Sequence, residues 1–100
     1  MKNPELVETA YALARKQFDL PELPEQFDED RAVKIIAKAV GELLNRDLEK
    51  LLQICYRIDL SEQRLKEILH ESAPDQVAED LAKALWERQK QKAEIWKRYS

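Results

Sequence analysis

A single glycine in one hundred residues is the first shortage in this chain. Tight turns between strands are usually built on glycine at positive φ, so a fold rich in β-hairpins lacks the residues for its corners. A single cysteine excludes an internal disulfide, and no basic-then-apolar leader is visible; together these lead to an expectation of a reducing, cytoplasmic setting. No apolar run approaches about 18 residues, so no membrane span is expected. With so little glycine there is no phosphate-cradling loop, and one histidine leaves little for metal chemistry.

What the chain does have is 44% hydrophobic and 37% charged residues, set at steps of three and four. That spacing predicts amphipathic helices and a single all-α domain covering residues 1–100. The stretch from Leu43 to Leu69 organises the rest. Leu44, Leu48, Leu51, Leu52, Cys55 and Ile58 fall on one helical face, and Asn45, Arg46, Glu49, Lys50, Gln53 and Arg57 fall on the other. Ser61 then supplies an N-cap, and Leu60 with Leu65 occupies the positions of a hydrophobic staple, which predicts a tight corner between two helices.

Four helices are expected, near 3–19, 28–58, 61–71 and 73–98, with the long second and last forming the spine. Asn3-Pro4-Glu5 reads as a cap, a first-turn proline and an acid suited to the helix dipole. Leu6, Val7, Ala10, Tyr11, Leu13, Ala14 and Phe18 then form the first stripe. Pro21 and Pro24 end that helix and make residues 20–27 an extended connector, with Leu20, Leu23 and Phe27 available to the core. Its PxxP spacing is read as part of that connector, since ligands of SH3 type sit in longer proline-rich segments. Asp28-Glu29-Asp30 starts the second helix at the positive end of its dipole. A bend at Gly41, or a break at Asn45-Arg46-Asp47 with Asp47 as a new cap, is the alternative to one continuous helix. Ser72 and Asp75 have capping-box spacing for the last helix.

In the last helix the stripe of Val77, Ala78, Leu81, Ala82, Leu85 and Trp86 reads as lapsing at Gln89 and Lys92. It resumes at Ile95, Trp96 and Tyr99. These three are the candidate interaction residues, either offered to a partner or folded back on the first helix. Charge is uneven: residues 1–30 carry a net −5, residues 31–82 a net −2 and residues 83–100 a net +4. A basic helix with aromatics suits phosphates and bases, but neutralisation by the acidic first thirty residues is the simpler reading. Glu67-x-x-His70 has the spacing of a di-iron carboxylate pair without the second pair that such a site needs. Cys55 lies on the apolar stripe and reads as core. Tyr56, Arg57 and Asp59 cluster at the corner.

The run Leu51 to Glu62 (LLQICYRIDLSE) and the later Glu87-Arg88-Gln89-x-Gln91-Lys92 resemble a group of small all-helical bacterial proteins with no established function. These carry a YR-hydrophobic-D corner and a late ERQxQK helix. The resemblance spans roughly the last 70 residues and implies a natural cytoplasmic helical domain, with no catalytic or binding residue to carry over. It prompts the expectation that Tyr56, Arg57, Asp59, Arg88 and Gln89 form a polar network, with Arg57 meeting Arg88 and Gln89 across the core. The functional expectation is a non-enzymatic protein–protein interaction or assembly module working through the last helix, with a second copy or another protein as partner and with no cofactor. Two alternatives stand beside it: an enzyme subunit whose metal or substrate site is completed by a partner chain, and a weak nucleic-acid binder.

Overall fold

Periodicity this regular has a helical outcome, and the computed structural model, which describes residues 4–22 and 28–98, has α-helices and no strand among those residues. The helices are α1 (Pro4–Gln17), α2 (Glu29–Arg46), α3 (Leu48–Ile58), α4 (Glu62–Glu71) and α5 (Val77–Arg98). Among the described residues there are five and not four, because the expected helix over 28–58 is broken at Asp47. Its backbone leaves helical geometry at φ −155°, ψ 76°, while its N–H still donates to the Leu43 carbonyl at the end of α2. Its carboxylate accepts from the Lys50 N–H at 3.0 Å and so caps the start of α3. One residue therefore serves both helix ends. Gly41, the other candidate for a bend, lies inside α2, and a Cβ placed there would rest 3.8 Å from Ala78 Cβ, an ordinary packing distance.

The remaining starts and stops follow from local chemistry. Asp28 accepts from the Arg31 N–H at 2.8 Å, and Ser61 accepts from the Arg64 N–H at 3.4 Å. α3 ends at Asp59, whose φ of 66° is the only positive value among the described non-glycine residues. The Leu60 N–H then donates to the Cys55 carbonyl at 3.0 Å, which turns the chain sharply toward α4. The start of the last helix differs from the capping-box reading. The Ser72 hydroxyl donates to Asp80 at 2.7 Å, residues 74–76 form a turn, and helical geometry begins only at Val77. Pro74 favours that turn because its ring fixes φ and offers no N–H.

α5 is the axis of the molecule: α1, α2, α3 and α4 all pack on it. The core is one cluster in which Trp86, Tyr11, Ile36, Leu51, Ile54, Ile58, Leu81 and Leu85 are fully buried. Each such side chain contributes roughly 1.5–3 kcal/mol on removal from water, which is what holds helices too short to persist alone. The Tyr11 hydroxyl donates to the Pro21 carbonyl at 2.8 Å, and Leu20 is buried, so the connector begins against the core as expected. The expectations for Leu23 and Phe27 lie outside the described residues. Along α5 the inner line of Ala82, Leu85, Trp86, Gln89 and Ala93 is continuous. The stripe therefore does not lapse at Gln89. That side chain is only 3% exposed, and Ala93 carries the line one turn further. The helix stays packed past the point where a purely apolar count ends.

Candidate functional site

Past Ala93 the packing stops. Ile95 and Trp96 are adjacent on the last turns of α5, 48% and 65% exposed. Trp96 continues the Gln89–Ala93 line by i, i+4, i+7 spacing, so it extends from the core face beyond the packed part of the helix. Ile95 lies on the flank toward α4, the flank that carries Ala84, Arg88 and Gln91. Tyr99, the third expected contact residue, lies outside the described residues. Lys97, on the opposite flank from Ile95, donates to Glu5 of α1 at 3.0 Å and ties the helix end to the first helix.

The α3–α4 corner is the second candidate. Arg88 Nη2 donates to the Asp59 carboxylate at 3.1 Å, Arg88 Nε donates to the Asp59 carbonyl at 3.2 Å, and Arg88 Nη1 donates to Gln91 Oε1 at 3.1 Å. Lys92 Nζ donates to the Arg57 carbonyl at 3.2 Å. The Arg88 Nε and Lys92 bonds meet carbonyls at the C-terminal end of α3, one in its last turn and one at its cap, where groups left without intrahelical partners and the negative end of the dipole attract cations. Lys92 is partly desolvated there and lies beside Arg88, and its pKa falls below the usual lysine value for those reasons, in that order. Of the five residues expected to form a polar network, the fold joins Asp59 and Arg88. Arg57 takes part through its carbonyl while its side chain is exposed. Tyr56 is 58% exposed and Gln89 faces the core. The network is thus a clamp at the surface and not a buried meeting of Arg57 with Arg88 and Gln89.

Sequence reasoning missed the most enclosed ion pair among the described residues. Glu29, in the first turn of α2, accepts from Trp86 Nε1 at 3.1 Å and from Lys90 Nζ at 2.6 Å. The two ionic side chains are only 23% and 25% exposed. The hydrogen bond that Lys90 donates to Glu29 is the main cause that raises the Lys90 pKa, against a smaller opposing effect of burial. Two signals pointed to it without being joined: an acid at a helix start and a tryptophan on a core stripe, whose indole N–H needs an acceptor. Lys90 and Lys97 thus pair with acids from the first thirty residues, which uses part of the basic charge of α5 internally.

Chemistry beyond binding has little support. The Cys55 thiol is buried, and burial pushes its pKa up to about 11, which keeps it protonated and unreactive. His70 is exposed on α4, and among the described residues no group of three or more His, Cys, Asp and Glu is arranged to hold a metal. No helix of the described residues is long and apolar enough to cross a membrane. Shallow grooves flank α5. One of about 640 Å³ lies against α2 and includes Val33, Ala37 and Trp86; another of about 410 Å³ lies against α4 and includes Leu60, Arg64 and Ala84. No protein-family model, curated protein or solved structure matches the chain.

Proposed function

We propose that this chain is a non-enzymatic interaction or assembly module whose contact surface is centred on the end of α5. The observation that carries this reading is the side-by-side exposure of Ile95 and Trp96 on a helix that is otherwise anchored along its length. Exposed aromatic and aliphatic side chains on a rigid element supply contact area at low entropic cost, which is why tryptophan is enriched where binding energy concentrates. A small domain that leaves such a pair in water loses the stabilisation of burying it, and a partner recovers that term. Cys55 is buried with its thiol pKa pushed up, and among the described residues no group of three or more His, Cys, Asp and Glu is placed to hold a metal, so neither feature supports the enzyme alternative. Internal pairing of Lys90 and Lys97 lowers the charge available to nucleic acid.

The test uses the chain's own tryptophans. Trp86→Phe leaves Trp96 as the sole indole, and acrylamide quenching then reports on that one side chain. The expected result is ready quenching in the chain alone and protection as a partner is added. Protection already complete in a dilute monomer would mean that Trp96 folds back onto its own chain, and the reading would fail.

A further inference from the structure

The outer face of α5 carries a charge pattern that the folded chain uses only in part. Glu79, Lys83, Glu87, Lys90, Glu94 and Lys97 recur at steps of three and four and so share one face of the helix, with Asp80 and Arg98 at its edge. Turning the helix end for end about the point between Arg88 and Gln89 sets Glu79 against Arg98, Asp80 against Lys97, Lys83 against Glu94 and Glu87 against Lys90. Each of these pairs joins opposite signs. Two parallel helices in register would set like against like at every position. Some of these charges have partners inside the chain: Lys83 lies 3.7 Å from Glu79, and Lys90 lies 4.0 Å from Glu87 besides its bond to Glu29. Glu94 and Arg98 are exposed and make no ion pair with any described residue.

The same face is open to a neighbour. α2 and α4 flank it, and Lys83 and Glu87 line the grooves on both sides. We propose that α5 pairs antiparallel with α5 of a second copy across this face, about a two-fold axis that passes level with Arg88 and Gln89. The proposal rests on the reading of the chain as an assembly module acting through α5, and it names the partner as a second copy. A two-fold axis perpendicular to the helix pair keeps the α4 side common to both copies. Ile95 then comes level with Ala82 of the second copy, beside an α4–α5 groove of about 390 Å³ that includes Arg64, Ile68 and Lys83. That puts exposed Ile95 beside a lining in which Ile68 is the one apolar side chain among charged and polar ones, and it leaves Trp96, which follows the core line, off the paired face. Charge complementarity of this kind fixes register and partner choice.

The test is the solution mass of the full chain across micromolar to millimolar concentration, measured for the wild type and for Lys83→Glu, Glu94→Lys, the double variant, Ile95→Ser and Trp96→Ser. The wild type is expected to move from monomer to dimer. Each single reversal is repeated by symmetry at two places and should weaken the dimer about tenfold. The double reversal should restore it. Positions 83 and 94 lie three turns apart on one helix, roughly 16 Å, so rescue can arise only between copies. Both are exposed, and retained helical circular dichroism keeps the comparison free of unfolding. A wild type that stays monomeric throughout overturns the proposal, as does a double variant as weak as either single one. If the reversals are silent while Trp96→Ser abolishes the dimer, the antiparallel face is wrong and the end of α5 survives as the contact surface.

Discussion

Two of the acids that α5 holds are held differently. Glu29 sits in the first turn of α2 with its carboxylate largely enclosed by Trp86 and Lys90. Asp59 caps the end of α3 with its carboxylate in water, gripped from one side by Arg88. The Trp86–Glu29 and Arg88–Asp59 bonds are both 3.1 Å, so distance does not rank those two. Surroundings do: removing an acceptor from a partly enclosed site leaves donors that water reaches only in part, whereas an exposed pair exchanges its partner for solvent at small cost. The comparison separates contacts that hold the body together from contacts that set the direction of a turn.

The sharpest way to break the first is Glu29→Ala. It strands the indole N–H of Trp86 and the ammonium of Lys90 together, and a loss of about 2–3 kcal/mol is expected from urea unfolding. Glu29→Gln keeps an acceptor for Trp86 and should lose roughly half as much. Equal losses for the two substitutions would show that charge alone matters there and that the indole bond contributes nothing.

At Asp59 the backbone decides more than the carboxylate. A non-glycine residue at φ 66° carries a conformational cost of roughly 1 kcal/mol that glycine avoids. Asp59→Ala is expected to lose about 1 kcal/mol through the clamp, while Asp59→Gly loses the same clamp, removes the strain and comes out near neutral. The informative quantity is the difference between the two variants. Should they unfold at the same urea concentration, the strain is not there.

The smallest expected effect concerns pH. Lys90 has its pKa raised in the folded chain, chiefly by the bond to Glu29. A group whose folded pKa lies above its unfolded value contributes stability that is fully present below the unfolded value, near 10.5, and is lost as pH rises through the folded one. The cost of Glu29→Gln should therefore shrink as pH rises above 10.5, while that of Arg88→Ala, which removes a charge that depresses the Lys92 pKa, should not shrink in the same titration of unfolding free energy. A parallel decline of both would remove Lys90 as the cause.

The corner at Asp59 to Ser61 was legible because its signals are local: a cap, a staple and a change of apolar phase within six residues. The break at Asp47 was visible only as a place, since Leu43, Leu44, Leu48, Leu51 and Leu52 keep helical spacing on both sides of it, and periodicity does not register one residue leaving helical geometry. Gln89 defeated the count of apolar positions because a polar side chain can occupy a buried helical line. The Glu29 to Trp86 bond joins residues 57 positions apart, and nothing within either local segment points to the other. Asp59 at positive φ was missed for a related reason: glycine marks that conformation in a sequence, and here the only glycine lies inside α2.

The double service of Asp47 bears on what lengths the chain tolerates. Because the last cap of α2 and the first cap of α3 are the same residue, there is no spacer to absorb an added or deleted position. One extra residue at the joint turns everything after it by about 100° about the helix axis, which would swing Leu51, Ile54, Cys55 and Ile58 out of the core they now fill. Substitution at the joint changes a hydrogen bond; insertion changes which side of α3 is the inside. Drift in length should therefore collect elsewhere in descendants of this chain, and the interval from Arg46 to Leu48 should keep its single residue even where Asp47 itself is replaced.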